Sequence, residues 1–286
     1  RAGGMSEGRI YAKIVRRGLT LVVLGMVYNG LFKLDFENLR IASVLGRIGL
    51  AWSIAAVLYL NFGVKTRAAI AVAVLAGYGA LSALVAAPDA AGAGPLTFEG
   101  NLAGYIDRQF LPGKLIYGSF DPEGLLSTVP AVVTAMLGMF TGEFVRRGDI
   151  RGGRKTLWMA AAAAALLAAG LAFSGVLPVN KKLWSSTFVC VVGAYSLGMF
   201  ALFYYLIDVR GWRRWTLFFR VVGLNSITIY LAQRIVGFGR ISDFFLGGIA
   251  SKCPEAVAAV ISSAGYVAVC WLFLYFLYRK NVFLKV

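Results

Sequence analysis

The sequence predicts an all-α polytopic membrane protein with about eight transmembrane helices and both termini cytoplasmic. Three observations predict it. Of 286 residues, 59% are hydrophobic and only 15% charged, against about 25% charged in an average soluble domain, and the mean hydropathy is +0.74. Apolar runs of about 20 residues recur along the chain, the length a helix rising 1.5 Å per residue needs to cross about 30 Å of hydrocarbon. Lys and Arg gather between alternate runs, as cytoplasmic loops do. Together these exclude disorder, collagen, a disulfide scaffold and an ordinary cytosolic enzyme.

The runs fall at 12–32, 41–62, 66–86, 124–145, 156–175, 185–207, 215–236 and 255–278 of a single domain, 1–286. Each is continuous, so each reads as a helix; a barrel needs alternating ten-residue segments. Between the third and fourth lies the longest connection, 87–123, whose aromatic and aliphatic content predicts order against the membrane face. In the fourth, Gly138 and Gly142 give a GxxxG spacing, a weak homodimer signal by itself. The fifth carries Ala160 to Ala165 and Gly170, small residues that let helices approach closely.

Sidedness follows from the basic residues. With the N-terminus inside, cytoplasmic segments hold 18 of them, beginning at Arg1 and ending at Lys285; outer segments hold 8, and Arg47, Arg220 and Arg234 lie within spans. The net charge of +16 therefore reads as inside loops, not as a nucleic-acid surface. The chain has no histidine, which excludes a His-ligated metal and a His base within these residues; no metal is expected. Cys190, Cys253 and Cys270 form no C-x-x-C pair and read as small hydrophobes.

Polar groups at membrane depth are costly and invite a functional reading. Arg47 either snorkels or pairs with an acid such as Asp35, or else holds an anionic group of a ligand. Glu143 is expected to pair with Arg146 or Arg147, and Arg220 to snorkel. Asn225, Ser226, Tyr230 and Gln233 are either interhelical glue or a pocket wall. Two outer clusters stand out: Phe120-Asp121-Pro122-Glu123-Gly124, and Pro178 to Ser186 with Asn180, Lys181 and Trp184. Each reads as a helix start, with Ser185 a cap and Trp184 an interfacial anchor, or as a sugar site where polar groups meet an aromatic ring.

Six segments resemble motifs of the heparan-α-glucosaminide N-acetyltransferase family and its bacterial relatives, within the transmembrane acyltransferase superfamily. Leu39 to Ile48 is similar to R-I-P-G-V-L-Q-R, with Ala42-Ser43 in place of P-G and Gly46 in place of Q. Asp121-Pro-Glu-Gly resembles D-P-E-G, and Pro178 to Ser185 resembles P-V-N-K-x-L-W-S. Asp208-Val-Arg-Gly, Gly223-Leu-Asn-Ser-Ile and the tail from Leu277 resemble D-V-K-G, G-M-N-S-I and L-Y-R-K-x-x-F-x-K. The family's key His lies in an outer loop between its first two spans, ahead of D-x-x-F-P-x-F; nothing here matches that part, so the chain looks like the family without its two N-terminal helices.

The resemblance implies a multi-pass enzyme of the bacterial inner membrane that moves an acetyl group from cytosolic acetyl-CoA to an amino sugar outside, among membrane lipid. Asp121, Glu123, Asn180, Lys181 and Trp184 would then bind the acceptor, with Asp121 or Glu123 assisting the missing His. Arg40, Arg47, Asn225, Ser226 and Tyr230 would line the acyl path or pocket. Arg146, Arg147, Arg151, Arg154, Arg210 and Arg213 would attract the CoA phosphates, ordinary positive-inside loops being the bland alternative. A transporter or lipid-handling protein without covalent chemistry competes with this reading, as does a structural subunit.

Overall fold

A computed structural model describes residues 6–284, so Arg1 and Lys285 lie outside the described residues. In chain order the helices are α1 (Glu7–Tyr28), α2 (Val44–Asn61), α3 (Val64–Leu84), α4 (Leu102–Phe110), α5 (Leu125–Val145), α6 (Gly152–Ala172), α7 (Ser186–Tyr204), α8 (Leu217–Leu224), α9 (Ser226–Ile235), α10 (Phe238–Ala250) and α11 (Glu255–Arg279). β-Structure among the described residues is confined to isolated bridges, Arg40 with Gly113 and Ala86 with Asn101.

Among the described residues, six segments are long and apolar enough to cross a membrane, and a bent pair makes up to seven, where the sequence predicts eight. They are α2, α3, α5, α6, α11, and α7 together with the π-helical turn Tyr205–Val209 that continues it. Two places account for the difference. The first expected span is a 22-residue helix, α1, but its first half carries Lys13, Arg16 and Arg17. The seventh is broken: Arg214–Leu224 and Ser226–Ile235 meet at 61°. Asn225 leaves helical geometry there (φ −125°, ψ 26°), and its side-chain oxygen accepts a hydrogen bond from Thr228 Oγ1 at 3.2 Å. Two expected loops also contain helices, α4 within 87–123 and α10 after the seventh span.

The chain divides into two compact units, Arg1–Gly211 and Trp212–Val286. In the first, glycine sets the packing of α1 on α2. A Cβ on Gly18 would stand 2.3 Å from Ser53 Oγ, one on Gly25 1.9 Å from Ser43 Oγ, and one on Gly49 2.7 Å from the Gly18 carbonyl. The helices therefore touch backbone to backbone, as small residues permit in lipid. Ala51, Ala55, Ala71, Ala131, Val133, Met136 and Val189 form the core between α2, α3, α5 and α7. On α6 the buried stripe runs through Lys155, Met159, Ala163 and Gly170, so most of the alanine run is exposed. Gly170 meets α7, where a Cβ would lie 2.8 Å from Val191 Cγ2. Gly138 and Gly142 face open space within the chain.

In the second unit, α8 and α10 pack on α11. Phe218 stacks on Trp271 (5.9 Å between centroids) and Phe238 meets Phe273 (5.4 Å). Arg220 donates to the Tyr278 hydroxyl, a partner that the snorkelling expectation lacks.

Gly25→Ala is expected to lower the stability of the detergent-solubilised protein by about 1–3 kcal/mol, the cost of overpacking. Gly138→Ala, with nothing in its way, should leave it unchanged or raise it slightly. Paired thermal melts read the contrast; equal melting temperatures would refute the close α1–α2 contact.

Candidate functional site

Helix α5 starts beside Asp121 and, 21 residues later and about 31 Å away, ends beside Arg146. Three connecting segments, 29–43, 85–124 and 176–185, interlock at the Asp121 end. Asn29 Nδ2 donates to the carbonyls of Arg40 and Ala42 (both 2.8 Å), fixing the approach to α2. Ser43 caps α2, accepting from Gly46 N at 2.9 Å; this is how Ala42-Ser43 serves where the family motif has P-G. Gly113 lets the next segment come close: its φ is +81° and a Cβ would stand 2.1 Å from the Leu39 carbonyl.

Arg40 joins these segments. Its Nε donates to Asp121 Oδ2 and its Nη2 to Oδ1, both at 2.7 Å, and Nη2 also pairs with Glu123. Asp121 is fully buried, and it also accepts from the Glu123 amide at 2.9 Å. Burial opposes the charge on Arg40, but the two carboxylates outweigh it and raise its pKa above the ordinary value.

A second buried acid, Asp107, is absent from the sequence-based candidates. Its carboxylate accepts from Leu125 N (2.9 Å) and Asp121 N (3.3 Å), so it caps α5 from α4. Gly124 makes room, since a Cβ there would stand 2.0 Å from Asp107 Oδ2. Burial pushes the Asp107 pKa up to about 6 against the backbone donors. Arg108 holds the loop from outside, pairing with Asp89 (2.8 and 2.6 Å) and donating to the Ser119 carbonyl; that pairing keeps Asp89 below the usual carboxylate range. Phe98, Tyr117 and Phe120 cluster beneath, with Lys182 over the Tyr117 ring.

Arg47 is 5% exposed. Its partners are Ser127 Oγ, which accepts from Nη2 at 2.6 Å, and the Trp184 ring, 4.6 Å from Cζ. Neither is the expected Asp35, which instead accepts from Asn38. Nε and Nη1 of Arg47 are buried without a hydrogen-bond partner. Arg47, Ser43 and Glu123 form the polar end of a cavity of about 380 Å³ that is otherwise apolar and reaches Leu58, Ile70 and Met136.

The structure thus brings together Arg40, Arg47, Asp121, Glu123 and Trp184. Trp184 has φ +53° and donates to Thr134 Oγ1 at 3.2 Å, which ties its ring to α5. Ser185 caps α7 as expected, accepting from Phe188 N. Asn180 is committed to its own turn, its oxygen accepting from the amides of Lys182 (2.8 Å) and Leu183 (3.4 Å); Lys181 is exposed. In the second unit, Asn225 is buried with Nδ2 unpartnered, Tyr230 is half-buried and Ser226 is exposed.

At the opposite end of the first unit, Arg146, Arg147, Arg151 and Arg154 are exposed around the start of α6. Arg210 follows the π-helical turn that meets Gly152, so it shares this end; its Nε donates to the Tyr205 hydroxyl at 2.8 Å. Arg147 pairs with Asp149. Arg213 is exposed in the second unit. Glu143 pairs with buried Arg67 at 2.9 Å, correcting the expected Arg146 or Arg147. Arg67, on α3, also meets the rings of Tyr59 on α2 and Phe140 on α5, contacts that loop-based charge counting overlooks.

Among known proteins, the chain is similar to the heparan-alpha-glucosaminide N-acetyltransferase of Homo sapiens, 27% identical over 99% of this chain and 50% of that protein. The Mus musculus protein of the same name is 27% identical over 65% of this chain and 30% of its own length. The chain thus spans about half the length or less of these curated relatives. No family model matches it.

Asp107 ties folding to pH. Its folded pKa of about 6 lies above the ordinary 3.8, so the folded state binds the proton more tightly. Its contribution is fully present below about pH 3.8, is lost as pH rises through about 6, and is level above. Melting the solubilised protein across that window should show stability falling with pH, and Asp107→Asn should flatten the slope; an unchanged slope would remove the assignment. Asp107→Ala should cost about 1–3 kcal/mol at low pH, because two buried amides lose their acceptor, and less above about pH 6, where it also removes a buried charge.

Proposed function

We propose, from a chain that is a relative of heparan-alpha-glucosaminide N-acetyltransferase, that it forms the membrane domain of an enzyme moving an acetyl group from cytosolic acetyl-CoA to an amino sugar on the other face. Within this reading both termini are cytoplasmic, the Arg146 end faces the cytosol of a bacterial inner membrane, and the Asp121 end faces outward. The observation that carries it is that Arg47 and Glu123 meet at the polar end of an apolar cavity, with the Trp184 ring 4.6 Å from Arg47 Cζ. Asp121, fully committed to Arg40 and the backbone, is a positioning residue.

The acceptor amine must shed a proton to become nucleophilic, and the oxygen of the tetrahedral intermediate needs donors. In the proposed reaction the nitrogen attacks the acetyl carbonyl, a C–N bond forms, the C–S bond breaks and the CoA thiolate leaves as thiol with the amine's proton. Glu123 binds the ammonium form of the acceptor and assists its deprotonation, together with the family His that has no counterpart here. Arg47 keeps two N–H-bearing atoms free of other partners, which suits it to the acyl oxygen. Arg146, Arg147, Arg151, Arg154, Arg210 and Arg213 attract the CoA phosphates electrostatically. Asn180 supports the Trp184 loop, and Lys181 meets the acceptor from the rim.

A second reading, transport without covalent chemistry, draws on the 61° break at buried Asn225, since broken helices line many transporter sites. Vesicles carrying the full-length protein separate the two. Labelled acetyl-CoA on the cytosolic side should yield N-acetylglucosamine from glucosamine on the other, and Glu123→Gln should lower kcat/KM about a hundredfold. Glucosamine uptake with no acetyl-CoA dependence favours transport; an unchanged rate and acceptor affinity in Glu123→Gln ends the Glu123 role.

A further inference from the structure

We propose that the Arg47 cavity is a binding site for a single-chain amphiphile whose head is an acyl oxygen group, a carboxylate or an acyl carbonyl. The proposal goes beyond acetyl transfer, because an acetyl group has no chain to fill the shaft. Arg47 supplies the head contact: it is 5% exposed and lines the cavity. One nitrogen is held by Ser127 at 2.6 Å, whereas Nε and Nη1 have no acceptor. Buried donors left unpaired are destabilising, so an acceptor that enters the cavity is favoured there. Glu123, the acid on the same wall, is engaged by Arg40.

Beyond that end the wall is apolar, with Val22, Leu50, Ile54, Leu58, Val74 and Met136. Ordered water needs two to four polar partners, which this stretch lacks. The lining residues of α2 run from Ser43 to Leu58, about 22 Å along the helix axis, and the volume is about 380 Å³, within the range of a small-ligand pocket. A long, narrow apolar space ending at an unsatisfied guanidinium fits an extended alkyl chain with oxygen at one end.

The full-length protein in lipid nanodiscs is irradiated with a diazirine analogue of palmitic acid, without acetyl-CoA or amine, and the modified peptides are mapped. Failure of the acetyltransferase reading leaves this measurement untouched. Adducts should concentrate on 43–58 and 125–136. Arg47→Gln should weaken labelling about tenfold, the loss of one charge-assisted hydrogen bond. Val74→Trp, which fills the shaft and leaves Arg47 in place, should weaken it at least as much. Competition by palmitate alone assigns a carboxylate head; equal competition by lysophosphatidylcholine assigns an ester carbonyl, and both support the site. Adducts spread evenly over the exposed faces of α3, α6 and α11, competition by neither ligand, or unchanged labelling in either variant with a wild-type melting temperature would overturn the proposal.

Discussion

Arg40 is the cation on which the Asp121 end of the first unit is built. Its fork grips Asp121 with two parallel bonds and reaches Glu123 as well. Removing one partner of such a pair leaves an uncompensated buried charge, a loss of about 3–5 kcal/mol. Asp121 in turn organises backbone amides, and its own amide is held by Asp107. Through this chain of contacts the segment before α2, helix α4 and the start of α5 become one rigid cap. Arg47, further along in α2, is tied to the start of α5 by its bond to Ser127 at 2.6 Å.

The two ends of α5 treat charge differently. At the Asp121 end Arg40 is matched by two acids, one of them fully buried, and Arg108 by Asp89 at the surface; at the Arg146 end arginines are exposed, and apart from Asp149 and Glu143 the acids are sparse. A neutral amphiphile or an amine has reason to approach the first, and a polyanion the second. Between them the shared cavity is apolar, so the polarity gradient along the first unit is steep.

Composition and run length made the helical class legible, and with it six of the membrane-spanning segments. The break at Asn225 escaped because Gly223 to Arg234 keeps enough apolar residues to look continuous, although the backbone leaves helical geometry at Asn225. Within the site, Asp121, Glu123, Trp184 and Arg47 stood out as polar or aromatic residues beside apolar runs. Asp107 did not, because its role is set by a contact with Leu125, eighteen positions on. Asn180 stood out for the wrong physical reason: a polar side chain in a dense cluster often serves its own backbone turn. Glu143 found Arg67 across two helices, and no linear spacing encodes such a pair.

The glycine contacts of α1 bear on how the chain enters the bilayer. Lys13, Arg16 and Arg17 make α1 the least apolar of the long helices, and it is not among those apolar enough to cross unaided. Yet Gly18 and Gly25 press it against α2, the helix that follows it. Retention of α1 at membrane depth is then a property of the hairpin and not of the helix.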